Sequence, residues 1–333
     1  MNMPGDLAGV PRPTEILLTD IDEFNAAPSV WDIECRQLDK RPLEARLARY
    51  ATPNLFVGRA GFNQAIRQHG AAPSGMRTFA FEESGISRLH WCGQDVGPCS
   101  LLSFPDNNEY ESLTPARFSV CTVSVNAERL AAVANAMGCP DALGSHGCGE
   151  VAKVAKPGQL RAFGELLCSS FAWVRDGGII DGAPGAVRQL ESEIIEELVL
   201  LLASRCSRRP IAPPCGQSRA LRQAIAYIFA HARESITVAQ VCTAAGVSWR
   251  TLNRVFRNQL GVTPKTCIKA ARLYGVRRAL LKESSASGRV SVIAGQWGFW
   301  HLGDFARDYR KQFGELPSQT LAGAAGSPAD TTR

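Results

Sequence analysis

The spacing of hydrophobic and polar positions changes character along the chain. Between residues 14 and 125 the apolar positions come in short runs broken by Gly, Pro and Asn. Leu55–Val57, Arg77–Phe81, Leu101–Phe104 and Phe118–Val125 predict strands. The last run alternates, with Phe118, Val120, Thr122 and Ser124 on one face and Ser119, Cys121, Val123 and Val125 on the other. Pro105–Asp106–Asn107–Asn108 has the chemistry of a turn. Several short strands separated by turns predict a sandwich or barrel. The period then lengthens, and helices are predicted over Ala127–Met137, Gln159–Val174 and Val187–Cys206. In the third helix Leu190, Ile194, Leu198, Leu201 and Leu202 form one stripe. The stripe is expected to pack on its own sheet, and dimerisation is the alternative. Pro210, Pro213 and Pro214 then stop any helix and predict an extended linker over 207–217.

Beyond the linker the pattern repeats. Residues 241–248 match 293–300 at an offset of 52, and Arg254–Gly261 match Arg307–Gly314 at an offset of 53. Arg254/Arg307, Arg257/Arg310, Gln259/Gln312, Gly261/Gly314 and Pro264/Pro317 are identical pairs, so one supersecondary unit occurs twice. Each copy reads as helix–turn–helix. In the first, Thr237 and Gln240 form a capping box, and Ile236 with Val241 a hydrophobic staple. Val238, Val241, Cys242 and Ala245 point inward, Gly246 turns the chain, and Ser248 caps the next helix. That helix turns Leu252, Val255, Phe256 and Leu260 to the core and Arg250, Asn253, Arg254 and Arg257 outward, with Trp249 at its start.

The second copy buries Ile293, Ala294, Trp297, Phe299, Phe305, Tyr309 and Phe313. Its outer helix starts near His301 and presents Leu302, Gly303, Arg307, Arg310 and Lys311, a less polar front than the first. Asp304 and Asp308 are expected to face away from any polyanion. Thr263–Pro264 opens a helix reaching about Lys282. At 1.5 Å per residue it spans about 28 Å, enough to set two outer helices about one DNA turn apart.

Charge sharpens this picture. Net charge over the 333 residues is +6, but Ser218–Arg333 holds 17 basic and 6 acidic residues, net +11, while residues 1–217 hold 20 and 25, net −5. A basic module joined to an acidic one suggests that only the former meets a polyanion. Arg fits guanine O6/N7 and Asn fits adenine N6/N7 in a major groove. Mean hydropathy is −0.08. No run of about 18 apolar residues occurs, and the amino terminus lacks a basic start followed by an apolar run. A cytoplasmic protein is therefore expected.

Catalytic chemistry is not legible. The eleven cysteines include no C-x-x-C pair, which points to reduced thiols and no metal site. Neither His90 with Cys92 and Cys99, nor Cys139 with His146 and Cys148, has paired ligand spacing. His69 and Cys121 imitate a nucleophile–base pair, but nothing in the sequence brings them together. No phosphate loop, G-x-S-x-G or H-E-x-x-H is present. No cofactor is expected, and the protein reads as a non-enzyme.

Residues 245–264, A-G-V-S-W-R-T-L-N-R-V-F-R-N-Q-L-G-V-T-P, and 293–317, I-A-G-Q-W-G-F-W-H-L-G-D-F-A-R-D-Y-R-K-Q-F-G-E-L-P, resemble the DNA-binding domain of the AraC/XylS family of bacterial transcriptional regulators. The resemblance covers Leu221–Leu321. It implies that Arg250, Asn253 and Arg254 contact bases or phosphates from the first unit, and Leu302, Gly303 and Arg307 from the second. Departures are Cys242, where the family favours Ala, and Gly303–Asp304 on the second reading helix. The segment G-F-W-H-L-G is similar to regulators of ethanolamine or related catabolic operons. By position and pattern the amino-terminal region resembles the family's effector or dimerisation domain, a cupin-like barrel with helices.

The expected fold is α+β. A β-rich effector-binding or dimerisation domain occupies 1–206, the linker 207–217, an all-α DNA-binding domain 218–321 and a disordered tail 322–333. The expected function is sequence-specific transcription regulation, as an activator responding to a small molecule. Expected partners are tandem major-groove half-sites in double-stranded DNA, RNA polymerase and a second copy of the chain, without a membrane. The DNA contacts fall on Ser248, Trp249, Arg250, Asn253, Arg254, Arg257, His301, Leu302, Gly303, Arg307, Arg310 and Lys311. The alternatives are a redox sensor triggered at Cys92, Cys99, Cys139 or Cys148, an enzyme domain fused to a DNA-binding domain, and effector-free dimerisation.

Overall fold

A computed structural model describes residues 14–26, 31–83, 89–97, 99–105, 109–143, 151–153, 157–175, 184–204, 216–234, 236–282, 290–299 and 301–326. The β-rich part comprises β1 (Thr14–Leu18), α1 (Ile21–Ala26), β2 (Asp32–Gln37), β3 (Ala45–Ala51), β4 (Leu55–Phe62), β5 (Ile66–Ala71), β6 (Met76–Glu82), β7 (Leu89–Trp91), β8 (Gln94–Val96), β9 (Ser100–Ser103), β10 (Tyr110–Thr114), β11 (Phe118–Asn126) and β12 (Val151–Lys153). Three helices accompany it: α2 (Ala127–Ala136), α3 (Pro157–Arg175) and α4 (Pro184–Ala203). The strands form two antiparallel sheets, a seven-stranded one ordered β1-β3-β4-β11-β6-β9-β12 and a five-stranded one ordered β2-β5-β10-β7-β8. Three of the predicted strands lie within β4, β6 and β11, and the fourth overlaps β9 but runs one residue past it, to Phe104. The turn at 106–108 lies outside the described residues.

The seven-stranded sheet is apolar on both faces for different reasons. On β11 Cys121, Val123 and Val125 face the helices and join one core with Val57, Phe79 and the α4 residues Ile194, Leu198, Leu201 and Leu202. The leucine stripe therefore packs on its own sheet. Glu191 of α4 is buried with it and accepts hydrogen bonds from Asn54 N and Nδ2, both at 3.1 Å, and from the Thr52 hydroxyl. The carboxylate thus pins the helix to the β3–β4 turn. The opposite face of β11, with Phe118, Val120 and Thr122, lines a cavity closed by the five-stranded sheet.

The helical part comprises α5 (Gly216–Ala230), α6 (Val238–Ala245), α7 (Trp249–Leu260), α8 (Pro264–Lys282), α9 (Val290–Gln296), α10 (Leu302–Phe313) and α11 (Pro317–Gly326). The linker expected over 207–217 lies almost wholly outside the described residues. At the far end α11 runs to Gly326, whereas disorder is expected from 322. The small residues of 322–326 (Ala, Gly, Ala, Ala, Gly) extend the helix begun at Pro317, as alanine favours. Residues 327–333 lie outside the description.

The two parts share one wall. Leu38, Ala65 and Leu113 of the β-rich part join the core formed by α5, α6, α7 and α8. Arg36 and Arg67 stand over the Phe229 ring of α5 at 5.0 and 5.4 Å. Along β2, β5 and β10 the inward residues Ile33, Gln68 and Ser112 line the cavity, and the outward residues Arg36, Arg67 and Leu113 meet the helices.

Candidate nucleic-acid interface

The first helix–turn–helix is fixed by its caps. Thr237 Oγ1 accepts from Gln240 N at 3.3 Å, and Gln240 Oε1 accepts from Thr237 N at 2.8 Å. This is the predicted capping box. Gly246 ends α6 at φ 65°, a left-handed conformation that favours glycine. Ser248 then accepts from Thr251 N at 3.3 Å at the start of α7. On α7 Leu252, Val255, Phe256 and Leu260 are buried, whereas Arg250, Arg254 and Arg257 are exposed and Asn253 half-buried. Trp249 remains 47% exposed, so it is no core residue. Together with Asn258, which the sequence reading missed, these side chains line a shallow concavity along the helix. Arg250, Arg254 and Arg257 form no ion pair among the described residues.

The second unit repeats the geometry. Gly298 turns the chain at φ 77° before α10, and Phe305 and Tyr309 are buried. The Tyr309 hydroxyl lies 2.8 Å from Thr320 Oγ1 of α11. His301 occupies the cap position of α10 but makes no capping hydrogen bond. Leu302, Gly303, Arg307, Arg310 and Lys311 are exposed. Asp308 lies inward, as expected, and takes hydrogen bonds from Lys269 and, at 3.2 Å, from Lys40. Burial works to raise its carboxyl pKa, but those two ammonium groups outweigh it and hold the group below its ordinary value. Asp304 is exposed and holds Arg307 at 2.6 Å.

Between the units, α8 begins at Pro264 and ends at Lys282, as predicted. Thr263 Oγ1 accepts from Thr266 N at 3.2 Å. Gly275 of α8 sits under the Trp297 ring. A Cβ there would lie 2.1 to 2.6 Å from three ring carbons. The opposite side of α8 reaches the β-rich part. The Tyr274 hydroxyl accepts from Asn25 Nδ2 at 3.1 Å, and Arg277 pairs with Asp20, with Asp22 at 2.9 Å and with Glu315 at 3.5 Å.

The other sequence candidates do not assemble. His90 Nδ1 lies 3.1 Å from Asp95, and His69 Nε2 lies 3.2 Å from Glu109. Cys121 faces the helices rather than His69. Cys92, Cys99 and Cys139 are half-buried and unbridged. Cys148 and His146 lie outside the described residues.

A family model described as a helix-turn-helix domain matches residues 241–323. The "Probable thc operon regulatory protein" of Rhodococcus erythropolis is 45% identical over 101 residues, covering 30% of this chain and 30% of that protein. The "XylDLEGF operon transcriptional activator 2" of Pseudomonas putida is 33% identical over 131 residues, covering 39% of this chain and 80% of that protein. The chain spans only 30–39% of the length of the first curated relatives it matches. A solved structure, "a probable AraC family transcriptional regulator from Rhodopseudomonas palustris CGA009", is 36% identical, covers 32% of this chain and 96% of that one, and has a TM-score of 0.29.

Proposed function

The chain belongs to the AraC/XylS family of regulators, and from that premise we propose that it is a sequence-specific DNA-binding activator of transcription. The observation that carries the reading is the pair of outward fronts on α7 and α10, each with a buried apolar back and an exposed cationic face. With α8 about 28 Å long, the two helices suit successive major grooves of one duplex. Arg250, Asn253 and Arg254 are the base-reading candidates of the first unit. On α10 Leu302 suits a thymine methyl, and Gly303 brings the backbone close to the duplex. The remaining cations and Ser248 position the phosphates. RNA polymerase and a second copy of the chain are the further partners in this reading.

The cavity between the sheets is the effector site in this reading. Its volume of about 150 Å³ matches one that holds a benzene ring in an engineered protein. Aromatic rings from Trp31, Phe56, Trp91 and Phe104 line it. One donor in its lining, the buried Trp91 Nε1, lacks an acceptor among the described residues, and the half-buried Arg49 guanidinium offers a second donor there. A compact, mostly apolar molecule that bears hydrogen-bond acceptors satisfies both.

Selection of bound duplexes from a randomised pool, followed by titration against salt, tests the DNA reading. If Arg257, Arg307, Arg310 and Lys311 each neutralise a phosphate, log K falls with log salt at a slope of about −3.6. Affinity then drops about 10²-fold between 50 and 200 mM. A pool that yields no consensus, or a slope near zero, rejects the assignment.

A further inference from the structure

We propose that the β-rich part positions the second reading helix through Lys40, and so sets how strongly the second DNA half-site is read. The proposal rests on the DNA-binding reading above. Asp308 lies at the middle of the inner side of α10, with its side chain 7% exposed. A carboxylate so deep is tolerated only when it is paired and hydrogen-bonded. Each of its oxygens has its own ammonium. Lys269 of α8 meets Oδ2, and Lys40, from the turn between β2 and β3, meets Oδ1 at 3.2 Å. Lys40 is therefore the link by which the β-rich part grips α10 from behind.

The carboxy-terminal end of α10 is held in the same way. Phe313 packs on the core that contains Leu18, Ile21 and Tyr274. Arg277 stands over the Phe313 ring at 4.6 Å while it pairs with Asp20 of the β-rich part. The first reading helix is held differently. The back of α7 shares an apolar core with Leu38 and Leu113, and no ion pair joins it to the β-rich part among the described residues. Removing a charge from the shared wall thus loosens α10 and spares α7.

The lever is geometric. Arg307 and Lys311 flank Asp308 on the outer side of the helix. Side-chain tips stand about 5–6 Å or more from a helix axis, so a roll of about 10° displaces them by about 1 Å. That displacement takes a 2.9 Å hydrogen bond out of range.

The experiment compares the wild-type chain with Lys40→Ala and Lys40→Arg on a duplex recovered from the randomised pool. The duplex is used intact, with the first half-site scrambled, and with the second scrambled. Arg254→Ala and Leu302→Ala identify which half-site each helix reads. Lys40→Ala is expected to weaken the intact duplex about tenfold and to shrink the penalty for scrambling the second half-site. The penalty for the first stays as in wild type, and Lys40→Arg restores the wild-type pattern. Equal weakening of all three duplexes would assign Lys40 to a phosphate and overturn the proposal, as would unchanged preference. Hydrogen exchange without DNA gives a second measurement, in which amides of residues 305–313 should exchange faster in Lys40→Ala while those of α7 do not change. Unaltered exchange in α10 also overturns it. A wild-type chain that fails to discriminate either half-site would sink the DNA reading itself.

Discussion

Replacing Gly275 by alanine should destabilise the helical part, against the rule that alanine strengthens a helix. In the interior of α8 the exchange gains about 1 kcal/mol of intrinsic helix propensity. The new methyl, however, meets three carbons of the Trp297 ring at 2.1, 2.2 and 2.6 Å. Overpacking of this kind costs about 1–3 kcal/mol, and three contacts this short place it at the upper end. The net loss is about 2 kcal/mol, or about 8–9 °C in melting midpoint for a unit of about 110 residues. Gly295 of α9 is the control, because a Cβ there meets nothing within 4 Å and its replacement by alanine should gain about 1 kcal/mol. Gly275→Ala combined with Trp297→Ala should be less damaging than the two single effects added, because the second change removes the obstacle. Thermal or urea unfolding of the four variants decides it. A Gly275→Ala protein as stable as wild type, or strictly additive effects, would refute the claim that the glycine exists to admit the indole.

Other consequences are as direct. Asp308 has a folded-state pKa below its ordinary 3.8, so its contribution is fully present above about pH 4 and is lost as pH falls through the lower folded value. An acid titration monitored by hydrogen exchange should show α10 loosening there in wild type but not in Asp308→Asn, which has lost the contribution at every pH. Glu191→Ala strands the Asn54 and Thr52 donors and should cost about 3 kcal/mol in a urea titration, whereas an effect under about 0.5 kcal/mol would deny the carboxylate its pinning role. Arg254→Ala should cost about 1–3 kcal/mol on the selected duplex if it reads a base, and an equal loss on random duplex would assign it to phosphate. Burial pushes the Cys267 thiol up to about 12 and raises Cys35 and Cys121 as well, so native protein at pH 8 should leave all three unmodified by iodoacetamide while exposed Cys168 reacts.

The two helix–turn–helix units and α8 were legible residue by residue, because their signals are local, whereas α5 and the run of α11 to Gly326 were not. Thr237 with Gln240, Gly246, Ser248 and Thr263–Pro264 fix helix ends through chain neighbours alone, and the internal repeat supplies a second copy of the same signals. Four strands were legible for the same reason, since β4, β6, β9 and β11 carry apolar residues toward the cores. β2, β3 and β5 were not. Their sequences, DIECRQ, ARLARYA and IRQHGA, read as surface, although Arg49 lines the cavity and Arg36 and Arg67 meet the helical part. Partners more than two hundred residues away, such as Tyr274 for Asn25 and Arg277 for Asp20, leave no periodic trace. The reading fronts were seen, but their support from behind was not, since Lys40 and Asp308 are distant in sequence and each looks like an ordinary surface charge.

The shared sheet has an evolutionary corollary. On β5 and β10 adjacent residues answer to different demands: Gln68 and Ser112 meet whatever occupies the cavity, while Arg67 and Leu113 meet the helices behind. Chemical taste and mechanical grip are thus written on alternate letters of the same strands. A lineage can retune either by point substitution without touching the other, whereas inserting one residue would transpose the two scripts and spoil both together.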